Sequence, residues 1–194
     1  MQRPFDYWAS GEGMGNITPP GNPYPEGDLF MREFTDLLFA QDVVEFGCGP
    51  GRLAPFFSKR RYLGVDICPQ AIALAQHDRP GYDFMLIDGK TKLEGWGHAL
   101  FAHNVLMHVP DEELLDTIGL FSQKRIFVNE VLGHNWRRNE NPPAFNREIN
   151  DYDQAFRFHG YALKRVVFKK LERWKASDFA VMEFHKENTN ARQS

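Results

Sequence analysis

The chain has 194 residues, 42% of them hydrophobic, which is enough for one well-buried domain and too little for two ordinary ones. A net charge of −3 gives no global attraction to a phosphate backbone, so nucleic acid is not an expected partner. Cys48 and Cys68 are the only cysteines and lack metal-ligand spacing, and no apolar run has the length of a signal-peptide core or a membrane span, so a soluble cytoplasmic protein without a membrane partner is expected.

Residues 1–27 are rich in Gly, Pro and aromatics, among them Tyr7, Trp8 and Tyr24, and show neither helical nor strand periodicity. A disordered tail would be poorer in aromatics, so the stretch reads as an arm or lid. Residues 28–40 place Leu29, Phe30, Phe34, Leu37 and Leu38 at helical spacing, which predicts a helix laid on the core. A strand over 43–46 runs into Gly47-Cys48-Gly49-Pro50-Gly51, where glycines allow a tight turn and the close approach of a ligand. The spacing then predicts a helix over 52–59, with Pro55 in its early turns.

The next strand, 61–66, ends in Asp66, placed where an acid meets a ribose hydroxyl pair in a nucleotide-binding α/β unit; the other reading is a cap for a helix over 70–77. A strand over 82–87 ends in Asp88-Gly89, a dipeptide that marks turns in any fold. Residues 90–97 are a short connection rather than a clear helix. A strand over 97–103 leads into Asn104-Val105-Leu106-Met107-His108-Val109, and a helix begins near Asp111, where Asp111, Glu112 and Glu113 complement its N-terminal dipole. A fifth strand spans 125–131. The irregular stretch 132–151 carries His134, Arg137, Arg138 and Arg147; a helix over 151–159 ends at Gly160. Residues 162–173 and 179–186 alternate as an antiparallel hairpin, and 187–194 should fray. Five strands separated by crossovers imply a parallel sheet with helices on both faces.

A dinucleotide loop needs G-x-G-x-x-G, and Arg52 stands where its third glycine belongs. Glu45, followed by the G-x-G-x-G run at 47, 49 and 51, instead resembles the first motif of class I S-adenosylmethionine (SAM)-dependent methyltransferases, and 104–109 looks like the N-V-L-x-H-V segment of their small-molecule members. The resemblance covers residues 28–186. It implies a doubly wound, mostly parallel seven-stranded α/β sheet with a C-terminal antiparallel hairpin, a Rossmann-like methyltransferase fold flanked by the arm 1–27 and the tail 187–194. It also implies SAM as cofactor and S-adenosylhomocysteine as product, in a cradle of Glu45, Gly47, Cys48, Gly49, Gly51, Asp66, Ile67, Asp88, Gly89 and His103. There Glu45 serves the amino acid end, Asp66 the ribose and Asp88 the adenine amino group. Asn141-Pro142-Pro143-Ala144 is similar to the N/D-P-P-aromatic signature of DNA and glutamine amino-methyltransferases, but it does not follow the fourth strand and its last residue is not aromatic, so that activity is not transferred.

In such a site an electron-rich acceptor atom attacks the sulfonium methyl in line, and the protein contributes alignment and exclusion of water without a metal. A hydroxyl or ammonium acceptor must also lose a proton. His108 is the first candidate base and His134 the second, each with a structural role as the alternative. Tyr7, Trp8 and Tyr24 are candidate aromatic walls or simply arm packing. Arg137, Arg138 and Arg147 are candidates for an acceptor carboxylate or phosphate, or else solvated loop residues. The expected activity is methyl transfer to oxygen or nitrogen of a small-molecule acceptor. The alternatives are a protein or RNA methyltransferase and a non-catalytic SAM-binding partner subunit. Acceptor identity and oligomeric state are not written in these motifs.

Overall fold

Short runs of alternating Val, Ile, Leu and Phe, each closed by Gly, Asp or Asn, dictate a central sheet covered on both faces. The computed structural model describes residues 4–16, 34, 37–134, 137, 143–170 and 178–187. The strands are β1 (Val43–Phe46), β2 (Tyr62–Asp66), β3 (Asp83–Leu86), β4 (Ala99–His103), β5 (Arg125–Val131), β6 (Tyr161–Lys170) and β7 (Asp178–Lys186), in spatial order β3-β2-β1-β4-β5-β7-β6. The first five pair in parallel, and β7 lies antiparallel between β5 and β6. This is the doubly wound sheet with a terminal hairpin that the resemblance implied.

Helices α1 (Pro4–Ala9), α2 (Pro69–Asp78), α3 (Asp111–Ile118) and α4 (Ile149–Phe158) accompany it. Alternation along the strands sends Val44, Phe46, Leu100, Ala102, Ile126 and Val128 into one core with Leu114 and Ile118 of α3 and Tyr152 and Phe156 of α4. It sends Val43, Ala99, Phe101 and Phe127 into a second core with Ile72 and Ala75 of α2, Phe34 and Leu38. α4 starts earlier than its apolar period suggests, because Glu148 and Asp151 form a capping box. The β3–β4 crossover is short and carries no helix, as expected.

Two expectations need correction. The segment after the glycine loop is not a helix over 52–59 but two single 3₁₀ turns, Ala54–Phe56 and Lys59–Arg61, with Phe57 extended between them. One or two helical turns are marginal alone, and Pro55 removes a donor. The break lets Leu53, Ala54 and Phe57 all face the core, where Phe57 stacks on Tyr62 with ring centroids 5.3 Å apart. The arm, which has no period of its own, is helical where described: α1 is followed by a 3₁₀ turn, Glu12–Asn16. Docking holds it. Tyr7 is buried, Gln70 donates to Ser10 O at 3.2 Å, and Phe5 occupies the space that a side chain at Gly89 would need. The rest of the arm, most of the helix expected over 28–40, and the tail beyond residue 187 lie outside the described residues. Among the described residues no helix is long and apolar enough to cross a membrane.

Candidate active site

The carboxyl ends of the parallel strands open on a cavity of about 440 Å³, as expected of an open α/β sheet. At one end lies the glycine loop. Gly47, at φ +72°, donates to Val65 O at 2.8 Å, and a Cβ there would come within 2.3 Å of Val105 Cγ2. Only glycine fits. Asp66 holds the loop from β2: its Oδ2 accepts from Gly49 N at 2.8 Å and its Oδ1 from Cys68 N at 2.9 Å. Burial pushes this carboxyl up, against those backbone donors. Glu45 is fully enclosed. Loss of water pushes its pKa up to about 8, opposed by the Tyr62 hydroxyl, which donates to Oε2 at 2.5 Å, and by nearby Arg52.

His103, at the end of β4, is driven down to about 3 by burial and then by the Arg52 guanidinium, which lies 3.1 Å from Nε2. A guanidinium only donates, so Nε2 accepts and Nδ1 carries the proton. Asn129 Nδ2 stands 2.7 Å from Nδ1; two N–H donors cannot face each other, so with Nδ1 protonated the amide is turned to bring its oxygen to the ring.

Glu45, Gly47, Cys48, Gly49, Asp66, Ile67, Gly89 and His103 all line the cavity, as the motif reading expects of cradle residues. Gly51 and Asp88 do not. Gly51, at φ +72°, sits against the Phe84 ring, 2.8 Å from where its Cβ would be, so it serves packing. Asp88 is exposed and turns back on its own loop, its Oδ1 accepting from Lys90 N at 2.9 Å and Thr91 Oγ1 at 2.7 Å, which holds its carboxyl below the usual range. The turn-forming reading of Asp88-Gly89 describes this side chain.

The other end is built around the turn after β4. Asn104 takes φ +53°, and a 3₁₀ turn follows at Leu106–His108. Glu130 of β5, fully buried, accepts from Val105 N at 3.0 Å, Leu106 N at 2.8 Å and Met107 N at 3.4 Å. Its burial pushes it up to about 8 against those donors and Arg147. Arg147 grips the same turn from the carbonyl side, donating to Leu106 O at 2.9 Å, Val109 O at 2.7 Å and Asp111 at 2.9 Å. The clamped turn presents His108 to the cavity. Its Nδ1 stands 2.7 Å from Pro143 O and must donate to it, which makes Nε2 the unprotonated nitrogen of the neutral ring. The Trp8 indole covers the imidazole at 4.7 Å between centroids.

The remaining candidates fall elsewhere. His134 is exposed, donates to Asp151 at 2.7 Å and does not line the cavity, so the second base candidate is not at this site. Arg137 pairs with Asp111 on the surface, and Arg147 is a buried clamp rather than a solvated loop residue or a ligand for an acceptor anion. Tyr7 packs beneath Trp8 and accepts from Asn16 instead of walling the cavity. Tyr24 and Arg138 lie outside the described residues. Glu130 and Asn146 are contributors that motif reading passed over. An acid within the apolar run 126–131 is the signal for the first, since a buried carboxylate demands donors. Nothing local marks the second.

No protein-family model matches the sequence, and no curated protein matches it. Solved structures do resemble it. Magnesium protoporphyrin IX methyltransferase from Synechocystis PCC 6803 with bound SAM is 16% identical at a TM-score of 0.64, with 95% of each chain covered. Geranyl diphosphate C-methyltransferase from Streptomyces coelicolor A3(2), in complex with Mg²⁺, geranyl diphosphate and S-adenosylhomocysteine, is 10% identical at a TM-score of 0.69, covering 96% of this chain and 99% of that one. The 1,6-didemethyltoxoflavin-N1-methyltransferase of Burkholderia thailandensis, with S-adenosylhomocysteine bound, is 14% identical at 0.67, covering 94% and 85%. At these identities the likeness shows the fold, which is that of class I SAM-dependent methyltransferases.

Proposed function

We propose that this chain, having that fold, is a SAM-dependent methyltransferase that acts on oxygen or nitrogen of a small-molecule acceptor. The observation that carries the reading is one cavity shared by the Glu45–Gly49–Asp66 cradle and a histidine whose Nδ1 donates to a carbonyl, which makes Nε2 the unprotonated nitrogen of the neutral ring. The donor set fits SAM. Asp66 offers carboxylate oxygens for ribose hydroxyls, Glu45 would give up the proton it holds in the cofactor-free chain as an ammonium comes to face it, Ile67 and Ile87 offer apolar surface for adenine, and the glycine backbone allows close approach. When bound, SAM supplies an electrophilic methyl group on sulfur.

The chain's own residues do the rest. His108 accepts the proton that the acceptor's O–H or N–H loses, at Nε2, and the Pro143 carbonyl holds the tautomer that makes this possible. Glu130 and Arg147 fix the turn that carries His108. The arm, through Phe5 and Trp8, is a lid that shields the site from water. Small-molecule action is also the chemistry named for the structural neighbours. Cys48 and Cys68, buried and unbridged, fit a reducing cytoplasm.

Calorimetry with SAM on the full chain, followed by S-adenosylhomocysteine release across an acceptor panel, tests the reading. Micromolar binding and turnover support it; a folded chain that binds neither cofactor form overturns it.

A further inference from the structure

Beyond the glycine loop the cavity changes character. Met107, Val131 and Phe179 form a small apolar cluster apart from both main cores and wall this end, with the Trp8 indole above. Arg52 is the only arginine or lysine among the described residues lining the cavity, and it is held against His103. Arg147 and Arg137 are engaged by backbone carbonyls and Asp111. Against the described residues an ionised acceptor would therefore lose water here without gaining a counter-charge.

Two polar atoms complete the picture. Asn146 is 1% exposed and lines the cavity; its Nδ2 donates to Val131 O at 2.8 Å, which fixes the amide's orientation and leaves Oδ1 without a partner among the described residues. Trp8 Nε1, on another lining residue, is likewise buried and unpartnered among them. Buried polar atoms are rarely left unpaired. A ligand that brings a donor to one and an acceptor to the other would satisfy both.

We propose that this end of the cavity takes an uncharged, planar aromatic or heteroaromatic acceptor that offers an O–H or N–H to Asn146, lies against Trp8 and the Met107–Val131–Phe179 wall, and presents its nucleophilic atom to His108. It rejects the same rings when they carry an ionised carboxylate. This deepens the methyltransferase reading and rests on it for the word acceptor. Ring faces favour a flat apolar partner, and the discrimination follows from the described lining, whose one arginine is held against His103.

The test is calorimetry on the full chain, with and without S-adenosylhomocysteine, using matched pairs: 2-naphthol against 6-hydroxy-2-naphthoate, and 8-hydroxyquinoline against its 2-carboxylate. The neutral member should bind at least about tenfold more tightly than its carboxylate. Asn146→Leu should weaken it about tenfold and leave S-adenosylhomocysteine affinity unchanged. If that variant does not fold, Trp8→Leu, in the peripheral arm, carries the residue-level test with the same expectation. Equal or tighter binding of the carboxylates, or binding of neither member, overturns the proposal. Naphthol binding without S-adenosylhomocysteine binding would keep the aromatic subsite and discard methyl transfer; the reverse would keep methyl transfer and discard the subsite.

Discussion

The two ends of the cavity are held together differently. At the glycine loop the bonds join neighbouring strands and run largely through main chain: Gly47 N to Val65 O, Gly49 N to Asp66. At the His108 end, side chains reach far along the sequence: Glu130 to Leu106 across 24 residues, His108 to Pro143 across 35, Arg147 to Leu106 across 41. A loop that must admit one invariant ligand is served by backbone geometry, which few sequences satisfy. A pocket that must suit a particular acceptor is served by side chains, which substitution can exchange without rebuilding the strands.

The largest expected effect tests whether the ends are separable. His108→Ala should lower kcat by about 10³-fold, equivalent to about 4 kcal/mol, as loss of a general base does. SAM affinity, measured by calorimetry, should stay within about twofold. A parallel loss of cofactor binding would merge the two ends into one. Next, Glu130→Leu leaves three backbone N–H groups of the turn without their acceptor, for a loss of about 3 kcal/mol in urea denaturation. Turnover should fall further than cofactor affinity, because the displaced turn carries His108.

Gly47→Ala probes the seam. Its Cβ would meet Val105 at 2.3 Å, and Val105 N belongs to the Glu130 clamp, so this single methyl touches both ends. Left-handed strain and overpacking should together cost about 2 kcal/mol, read as a lower urea midpoint with SAM affinity and turnover falling together. Independent responses would mean that the ends do not share this wall.

What could be read from the sequence follows the same division. The borders of β5 match the strand expected over 125–131, and Glu45, Gly47 and Asp66 stand where strand-end logic puts them, because each is specified by residues close by in the chain. The segment 52–59 misled because burying Leu53, Ala54 and Phe57 together requires a broken backbone that periodicity does not register. Asp88 carried a correct local signal, its Asp-Gly turn. α1 is ordered only by what it docks on, and Arg147 looks like a loop cation until Leu106, Val109 and Asp111 converge on it. Such pairings exist only in the folded chain.

Acidity sharpens the contrast at the glycine-loop end. Glu45 rises from an ordinary 4.5 to about 8 on folding, so between these values the folded state holds a proton that the unfolded chain has lost. Its contribution to stability is complete below about pH 4.5 and is lost as pH rises through 8, at up to about 1.4 kcal/mol per pH unit. His103 has the opposite sign. Its fall from 6.5 to about 3 gives a contribution present above 6.5 and lost as pH drops toward 3. Urea midpoints for the cofactor-free chain at pH 4, 6 and 8.5 should show Glu45→Gln flattening the fall from pH 6 to 8.5 and steepening that from pH 6 to 4, where the two windows overlap with opposite sign, and His103→Gln flattening the acid fall. A Glu45→Gln curve parallel to the parent's would place the alkaline loss elsewhere, with Glu130 the next group to test.

The smallest expected effect marks the outer boundary of the His108 end. His134 donates to Asp151 at 2.7 Å, with both side chains exposed, and such a pair contributes about 0–1 kcal/mol. Asp151 has a second role, since it also accepts from Glu148 N at 2.9 Å in the cap of α4, and that bond survives loss of the imidazole. His134→Ala should therefore leave kcat and KM within about twofold of the parent and shift the urea midpoint only slightly, by less than about 1 kcal/mol. A tenfold fall in kcat would bring His134 inward to the reacting atoms. The His108 end would then extend to residue 134, and the wall made by Met107, Val131 and Phe179 would no longer be its limit.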